Sequence, residues 1–337
     1  MSHTLEQVAR LAGVSRSTVS RVINAQPNVR PATEERVWQA IRESGYQPNA
    51  VARSLVTQRT RIISMIIPEA VTTLFTDPFF PLLLCGVTET CNTHQYQLML
   101  SLFTTSTDPQ EMYRRVLHSG YLDGVIVASA ALDDPLIPNL LRDQIPFVSI
   151  GFHPDERVHY VDVDNTGGAR MAVEHLIRLG HRRIAAITGP PDMVAGRDRL
   201  SGYRQALEAH RISIDENLIA QGNFAEISGL SAMQQLLPHS PSAVFVANDT
   251  MAIGALKALR QAGLRVPQDV TLVGFDDIPI ASAIEPALTT VRQPIERLSA
   301  TAVEVLLGIL DGAAAEPTVS RIILPTELVI RASSSSV

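Results

Sequence analysis

The sequence predicts a small all-α head followed by a large α/β body with parallel, doubly wound sheets. The chain has 337 residues, which at about 150 residues per domain corresponds to two or three domains. Apolar residues recur at helical spacing up to Gly45, whereas from about Arg61 short apolar runs alternate with amphipathic helical stretches. This β-α rhythm is typical of parallel sheets buried on both faces. Because the runs are too many for one sheet, we expect two α/β lobes.

The head is predicted to contain three helices, at Thr4–Ala12, at Arg16–Asn24 and from Thr33 to about Ser44. Gly13 and Gly45 are placed to end the first and third helices in the left-handed conformation, and Ser15 to cap the second. The apolar seam between the first two helices is predicted to be Val8, Ala12, Val14, Val19 and Val22, and Ala9 is small where these helices cross.

The body is predicted from short strands and intervening helices. The strands are Ile62–Ile67, Leu98–Phe103, Gly124–Ser129, Phe147–Gly151, Arg183–Thr188, Ala243–Ala247 and Thr271–Phe275. The helices are Asp108–His118, Ala169–Leu179, Arg199–Ala209, Thr250–Ala262 and Ile295–Leu310. A last strand pattern covers Leu324–Ala332, and the tail Ser333–Ser336 is expected to fray.

Charge is distributed unevenly along the chain. Residues 1–61 contain nine arginines and four glutamates, a net charge of +5, so a chain of net charge -6 carries -11 in the remainder. A basic head on an acidic body indicates that the head meets a polyanion and the body does not.

Composition excludes several classes of protein. Hydrophobic residues make up 45% of the chain, yet no apolar run approaches the roughly 18–20 residues of a membrane span. The first residues lack a secretory signal pattern, so we expect a cytoplasmic protein. Cys85 and Cys91 are expected to be buried small apolar residues, neither disulfide-bonded nor metal-binding.

The segment Leu5–Asn24 predicts a DNA-binding helix-turn-helix. Arg16, Ser17, Arg21 and Asn24 face outward on the second helix, which would place them in the major groove, where arginine pairs with guanine. Thr18 and Ser20 suit phosphate oxygens. The alternative is an ordinary helical hairpin with solvated arginines, and the small residues, cap and valines in register argue against it.

The same residues resemble the lactose/galactose repressor (LacI/GalR) family. The resemblance rests on Thr4–Ala9, Gly13–Ser15 and Thr18–Asn24 in the head, and on the hinge-like segment Tyr46–Leu55. It continues through Gly180–Ile184, Val246–Gly254, Val273–Asp277 and Leu288–Pro294, and so covers essentially the whole chain.

The resemblance implies a helix-turn-helix at 1–47, a hinge at 48–60, and a two-lobed periplasmic-binding-protein-like (type I) effector domain at 61–333, before a tail at 334–337. Its N-lobe would span about 61–162 and 293–321, and its C-lobe about 163–292 and 322–333. It further implies a homodimer that reads a pseudo-palindromic operator, with Leu55 wedged into the minor groove. The full set of implied DNA contacts is Thr4, Ser15, Arg16, Ser17, Thr18, Ser20, Arg21, Asn24, Asn28, Thr33, Tyr46, Asn49, Ala52 and Leu55.

A ligand is expected in the cleft between the lobes, beyond the carboxyl ends of the strands. By resemblance Arg199 is the strongest contact, with Arg197 beside it. Asn248 and Asp276 each end an apolar strand, and Gln293 lies on the crossover between lobes. Phe224 is placed to stack on a sugar ring, and Asp77 and Phe79 to supply an acceptor and an apolar wall.

These assignments have structural alternatives. Asn248 and Asp276 could only cap the helices that follow, as Asp249 and Asp277 are expected to do. Arg197 could pair with an acid instead of with ligand. At the end of the fourth strand, Gly151 stands where the family usually has a polar side chain, which leaves the identity of the ligand open.

The predicted function is an allosteric transcription regulator, a repressor controlled by a small ligand such as a sugar. His175 and His181 lack a third metal ligand and are interpreted as structural, and no cofactor is expected. The competing hypotheses are an extracytoplasmic sugar-binding protein, disfavoured by the basic head, and a sugar-modifying enzyme, for which no catalytic motif is found. Without a C-terminal heptad repeat, the assembly is expected to be a dimer.

Overall fold

The computed structural model describes residues 4–23, 29–46, 59–70, 77–103, 113–114, 117, 121–128, 131, 134–312 and 318–337. The chain forms two compact units: residues 1–61 with 121–123, and residues 62–120 with 124–337. Several predictions fall outside the described residues: most of the hinge at 48–60, most of the helix Asp108–His118, and the contacts Asn24, Asn28, Asn49, Ala52 and Leu55.

The head contains the three helices α1 (Leu5–Ala12), α2 (Arg16–Ile23) and α3 (Pro31–Ser44). Thr4 caps α1 through a capping box with Gln7. The Ser15 hydroxyl accepts the Thr18 N–H at 3.1 Å, so the predicted cap of α2 is confirmed. Gly13 and Gly45 lie at φ +64° and +63°, the left-handed conformation predicted to end α1 and α3.

A small apolar core holds the three head helices together. It confirms the predicted seam, except that Val14 is only partly buried. The buried side chains are Val8, Ala9, Ala12, Val19, Val22, Val37, Ala40 and Ile41. Because this core uses the inner face of α2, the polar side chains of that helix are left on its outer face.

The first sheet of the body is parallel throughout. In chain order its strands are β1 (Ile62–Ala70), β2 (Gln97–Phe103), β3 (Gly124–Ala128), β4 (Phe147–Ile150), β5 (Tyr160–Val163) and β11 (Arg321–Leu324). Their spatial order is β11-β5-β4-β3-β1-β2. Strands β3, β4 and β5 are buried along their whole length, as expected for a sheet covered on both faces.

The second sheet repeats this pattern, with one antiparallel edge. Its strands are β6 (Ile184–Thr188), β7 (Ile219–Gln221), β8 (Ala243–Val246), β9 (Thr271–Asp276), β10 (Thr289–Arg292) and β12 (Glu327–Val329). The spatial order is β12-β10-β9-β8-β6-β7, and β12 runs antiparallel to β10. The predicted two-lobed, doubly wound body is therefore confirmed.

Helices cover both sheets. They are α4 (Phe79–Thr93), α5 (Leu136–Arg142), α6 (Asn165–Arg178), α7 (Val194–Ala209), α8 (Glu226–Leu236), α9 (Asp249–Gln261), α10 (Pro279–Ala283) and α11 (Ile295–Leu310). Helix α4 packs with α11 against the first sheet, and the pairs α6–α7 and α8–α9 pack on the two faces of the second.

Some elements have no counterpart in the sequence-based prediction. Strands β5, β7, β10 and β11 and helices α5, α8 and α10 were not predicted. The four strands span only three or four residues, too few for an alternating or continuous apolar pattern to be distinguished from a loop.

The chain passes between the sheets three times: after β5, after β10, and between β11 and β12. The predicted return to the C-lobe after residue 321 is too early. Arg321–Leu324 pairs in parallel with Tyr160–Val163 and keeps the chain in the first sheet through Leu324.

The expectation that the C-terminal serines fray is wrong. Ser333 is fully buried. Its hydroxyl donates to the Leu272 carbonyl at 2.6 Å and accepts the Thr289 N–H at 2.8 Å. Hydrogen bonds to the second sheet therefore fix a segment whose sequence pattern resembles a mobile tail.

His175 and His181 contact this same segment, which supports their structural interpretation. The Nε2 of His175 lies 3.0 Å from the Ser334 hydroxyl, and the Nε2 of His181 lies 3.0 Å from the Ser335 carbonyl oxygen. Burial lowers the pKa of both imidazoles below the ordinary value.

The two cysteines are free, and only Cys91 is buried. The expected burial of Cys85 is wrong, because side chains six positions apart on a helix point about 120° apart, and of these two only Cys91 is buried. Within the described ranges, no helix is long and apolar enough to cross a membrane.

Candidate functional site

Helix α2 presents polar side chains on its outer face. Arg16, Ser17 and Arg21 are exposed, whereas Val19 and Val22 are buried against the other helices. An ion pair from Arg16 to Glu6 at 3.6 Å joins side chains that are both 70% exposed. Such a pair contributes little stability, so the Arg16 guanidinium is accessible to another partner.

The other predicted DNA contacts within the described residues lie close to α2 or at helix termini. Thr4 and Ser15 are exposed, while Thr18, Ser20, Thr33 and Tyr46 are half-buried. The Ser15 hydroxyl lies 2.7 Å from that of Ser17 and 2.9 Å from that of Thr18. These hydroxyls form a polar cluster at the N-terminus of α2, where phosphate oxygens are favoured.

A cavity of about 260 Å³ lies between the carboxyl ends of the two sheets. Every predicted ligand contact except Arg197 lines it. Those residues are Asp77, Phe79, Arg199, Phe224, Asn248, Asp276 and Gln293. They come from both lobes, because Asp77 and Phe79 follow β1 in the first sheet and the others belong to the second lobe or the crossover.

Arg199 is the charged centre of the cavity. It is 5% exposed, on α7. Its Nε donates to Asn165 Oδ1 at 2.9 Å, and its Nη1 donates to the Ala247 carbonyl at 2.6 Å and to Asp276 Oδ1 at 3.2 Å. The guanidinium lies 3.8 Å from the centre of the Phe275 ring, which supports it from behind. Protein groups alone therefore fix the position of the Arg199 guanidinium.

Asn248 and Gln293 are held by equally specific contacts. Asn248 caps α9 by accepting the Met251 N–H at 2.9 Å, and its amide donates to the Phe224 carbonyl at 3.0 Å. The Gln293 amide donates to Asp276 Oδ1. Asn248 thus combines the two roles that the sequence left as alternatives: it caps a helix and lines the cavity.

Asp162 is a site residue that the sequence analysis missed. It lies on β5, is 8% exposed, and lines the cavity. It accepts the Phe152 N–H at 2.8 Å and the Asn165 amide at 3.2 Å. Gly151 brings no side chain to the cavity, as the sequence indicated, and the neighbouring strand brings the carboxyl of Asp162 instead. Asn165 connects this carboxyl to Arg199.

The signal for Asp162 was present in the segment Tyr160–Val163, where a charged residue interrupts apolar ones. A buried acid at the end of a short strand indicates a site. The signal was overlooked because the strand itself was not recognised.

Aromatic rings supply the apolar walls. Phe79 and Phe80 pack edge to face at 5.5 Å, and both line the cavity. Phe80 is buried and Phe79 half-buried. Phe224 adopts φ +66° and its ring centre lies 6.0 Å from the Arg199 guanidinium.

Burial raises the pKa of each carboxyl in the cavity. The pKa of Asp276 rises to about 7, because burial and the nearby Asp77 outweigh the stabilising Arg199. Burial likewise raises the pKa of Asp77 and of Asp162, and Arg199 partly offsets both effects. Since arginine stays protonated in proteins, the described part of the cavity lining holds one fixed cation among carboxyls whose pKa values burial raises.

The predicted contact Arg197 is wrong. Its side chain is 48% exposed, and its Nε lies 3.2 Å from Asp198. Positions two apart on a helix point about 200° apart. Because Arg199 faces the cavity, Arg197 faces away from it, and the alternative of pairing with an acid is the correct one.

The caps predicted for Asp249 and Asp277 are also wrong. Asp249 is fully buried and accepts the Thr290 hydroxyl and, at 3.0 Å, the Ile278 N–H. Burial and the neighbouring Asp276 raise its pKa well above the ordinary value. The carboxylate of Asp277 pairs with Arg292 and Arg331. Both acids hold chain segments together beneath the cavity.

The arrangement is suited to binding a small polar molecule. Carboxyl, amide and guanidinium groups converge on a space with aromatic walls, which is the chemistry that recognises a polyhydroxylated molecule. Among the residues that the structure describes, no group of histidine, cysteine and acidic side chains could hold a metal ion.

The fold and these two sites together define a DNA-binding transcription regulator with a two-lobed, periplasmic-binding-protein-like body. The family of bacterial regulatory proteins of the lacI type matches residues 4–49, and the periplasmic binding protein-like domain matches residues 173–334. The HTH-type transcriptional regulator CelR of Thermobifida fusca is 44% identical over 335 residues, which are 98% of each chain. This chain belongs to the LacI family.

Two solved structures extend the comparison. A transcriptional regulator CelR–cellobiose complex is 41% identical, with a TM-score of 0.77 over 98% of this chain and all of that one. The lac repressor dimer bound to operator and the anti-inducer ONPF is 29% identical, with a TM-score of 0.86 over the full length of both chains.

Proposed function

We propose that this protein is an operator-binding repressor whose affinity for DNA is set by a neutral sugar bound around Arg199 and Asp276. The observation that carries the proposal is the cavity itself, in which a buried guanidinium is already fixed by Asn165, Ala247 and Asp276. Groups fixed in this way bind a matching ligand without first losing side-chain freedom.

The charge of the cavity favours a neutral ligand. Asp77, Asp162 and Asp276 surround Arg199, which is the single arginine or lysine among the described lining residues, so an anionic ligand would meet more carboxyls than guanidinium groups there. Carboxyls whose pKa values are raised toward neutrality can accept or donate hydrogen bonds, as hydroxyl groups require. The half-buried rings of Phe79 and Phe224 complete a site for the apolar face of a sugar ring.

The names of two relatives point to the same class of ligand, a neutral sugar. One of the similar solved structures is a complex with cellobiose, and another relative is the ribose operon repressor of Escherichia coli, 39% identical over 317 residues. We therefore infer a β-linked glucose disaccharide as the first effector to test, and ribose as the second.

Ligand binding would be coupled to DNA binding through the two lobes. The cavity takes side chains from both sheets, and the chain crosses between the sheets beside Gln293. A ligand that contacts both lobes favours one lobe arrangement by its difference in affinity for the two arrangements.

The head would act in a homodimer. Two copies of α2 would read the two half-sites of a pseudo-palindrome through Arg16, Ser17 and Arg21. In the same proposal the hinge of each copy contacts the operator, and Leu55 enters its minor groove. Support for the dimer comes from the likeness to a lac repressor dimer bound to operator.

The test is fluorescence anisotropy with a labelled pseudo-palindromic duplex from upstream of the protein's own gene, at one fixed salt concentration. The titration is repeated with cellobiose, ribose, glucose and a purine base, and with a scrambled duplex as the control for nonspecific binding. Salt is fixed because phosphate contacts are strongly salt-dependent. We expect one sugar to shift operator affinity by at least about tenfold, a coupling of about 1.4 kcal/mol.

The outcomes separate the parts of the proposal. Equal affinity for the operator and the scrambled duplex would contradict a sequence-specific head. If the protein binds the operator specifically and only the purine base changes its affinity, the sugar assignment would be overturned, and the assignment as a ligand-controlled regulator would be kept. Specific binding that no small molecule shifts would contradict the effector cleft.

A further inference from the structure

Two consecutive residues beneath the cavity adopt a backbone conformation that side chains disfavour. Asp276 lies at φ +117° and Asp277 at φ +59°. Non-glycine residues rarely occupy this region, and such strain persists only where the surroundings hold it. The first of the two carries a cavity carboxyl, so the contacts that hold this turn also determine where that carboxyl points.

Asp277 is held by two arginines. Its Oδ2 accepts from Arg292 Nε at 2.7 Å, and its Oδ1 lies 2.6 Å from Arg331 Nη2. The Asp277 side chain is only 7% exposed. We call Asp277, Arg292 and Arg331 the clamp. Both carboxylate oxygens are occupied by cations, a geometry that restrains the carboxylate more than one exposed pair would.

Each arginine of the clamp is itself attached to β10. Arg292 is the last residue of that strand and pairs in register with Asp276 of β9. Arg331 donates through Nη1 to the Leu288 carbonyl at 2.9 Å, and its backbone N–H donates to the Thr289 hydroxyl at 2.9 Å. The clamp therefore joins the end of β9, the length of β10 and the C-terminal segment.

The clamp lies where the chain leaves the second sheet. Directly after Arg292, Gln293 bonds to Asp276 through its backbone N–H at 3.3 Å and through its side-chain amide, and the chain then enters α11 on the first sheet. None of the three clamp residues lines the cavity. Any effect they have on a ligand must pass through Asp276 and Gln293.

We propose that the clamp is a positioning device that sets the affinity of the cavity for its sugar by fixing the Asp276–Asp277 turn and the Gln293 crossover. This inference rests on the proposed function, because it takes a sugar as the ligand of Asp276. It adds residues of the C-terminal segment, far along the chain from the cavity lining, to the determinants of effector binding.

The test is isothermal titration of the full chain with cellobiose, or with ribose if cellobiose gives no heat with the wild type. Arg331→Met removes one cation and keeps an unbranched apolar stem. Asp277→Asn removes the charge, and asparagine tolerates positive φ. We expect both variants to weaken sugar binding roughly tenfold, in the range of measured effects of residues that act through a neighbour.

Three controls distinguish positioning from general stability. Arg331→Lys keeps a cation beside Asp277 but lacks the second nitrogen that donates to the Leu288 carbonyl, so its sugar affinity is expected to lie between those of wild type and Arg331→Met. Arg265→Met breaks an exposed pair with Asp269 in the same lobe and is expected to change nothing. Thermal melting and operator affinity without sugar are measured for every variant, and we expect operator affinity to be unchanged.

Unchanged sugar affinity in Arg331→Met and Asp277→Asn, with or without a lower melting temperature, would overturn the positioning role and leave the proposed function intact. An equal loss of sugar affinity in Arg331→Lys and Arg331→Met would also overturn it, since retaining a cation beside Asp277 would then have no effect on sugar binding. A wild-type protein that binds neither sugar would overturn both the proposed function and the clamp inference.

Discussion

The head and the body use arginine in opposite ways. Arg16 and Arg21 on α2 extend into solvent, and the ion pair of Arg16 joins two largely exposed side chains. Arg199 in the body is 5% exposed and donates to three protein acceptors. The same side chain is thus a largely solvated cation in one unit and a buried, compensated cation in the other.

The difference follows from what each unit must recognise. Nucleic acid brings its own charge, so a cation that stays solvated until contact gains counterion release and long-range attraction. A neutral ligand brings no charge, so a buried cation must be compensated by the protein before the ligand arrives. The net charge of +5 over residues 1–61 and of -11 over the rest is the sequence-level expression of this contrast.

The sharpest test of the contrast is Arg199→Met. Losing the guanidinium leaves the Asn165, Ala247 and Asp276 acceptors without their donor, and we expect sugar affinity to fall at least about 100-fold, or about 2.7 kcal/mol. Isothermal titration measures this. The matched control is Arg197→Met, which removes an exposed arginine from the same helix and should change affinity less than about twofold. A similar loss in both variants would mean that overall charge, and not the fixed geometry, determines binding.

A smaller effect is expected in the head. Arg16→Ala should weaken operator binding about tenfold, or about 1.4 kcal/mol, if its exposed guanidinium reads a base. Arg42→Ala removes an exposed cation from α3 and serves as the control. Anisotropy with the operator and with a scrambled duplex separates the two roles. If both variants lose equal affinity for both duplexes, the arginines of the head act only as general charge.

The smallest expected effect is a pH dependence confined to the body. The pKa of Asp276 is raised to about 7 by burial, with Asp77 adding to the effect and Arg199 opposing it, and the buried Asp249 lies nearby. If the ionised carboxylate of Asp276 accepts hydrogen bonds from sugar hydroxyls, its ionised fraction falls from about one half at pH 7 to about one tenth at pH 6. Sugar affinity then falls roughly fivefold over the same range.

Titration calorimetry at pH 6, 7 and 8 checks the sign of this effect. His153 at the cavity has a pKa lowered by burial, so it remains neutral over most of this range. Asp276→Asn should bind more weakly and show a flat profile. Tighter sugar binding at pH 6 than at pH 8 would instead indicate that the protonated Asp276 donates to the sugar.

Some polar residues of the cavity lining could be predicted from their places at the ends of strands. Asn248 follows β8 and Asp276 ends β9, and both line the cavity because parallel strands bring their carboxyl ends to one edge. Gln293 was predicted from the crossover between the lobes, and it also lines the cavity. The predicted ligand contact of Arg197 is wrong for a reason that helical geometry could have shown, because two residues two positions apart on a helix cannot both face one cleft.

What could not be predicted depends on short or strained segments. Asp162 lies on a strand of only four residues, and Cys85 and Cys91 look alike in sequence although only one faces the sheet. The serine run that begins at Ser333 has the composition of a mobile tail, yet the Ser333 hydroxyl has two buried backbone partners. None of these has a local pattern, because each is decided by what another part of the chain brings to it.

The sequence by itself determined the helix-turn-helix, the alternation of strands and helices, and the basic head on an acidic body. These are local properties, since helix caps, left-handed glycines and apolar periodicity depend on residues a few positions apart. Only the tertiary structure decided that Asp162, Arg199 and Asp276 meet through Asn165 in one network, and that Asp277 is clamped by Arg292 and Arg331. Those contacts join residues from distant parts of the chain, so they exist only once the two sheets have folded and the C-terminal segment has returned to β10.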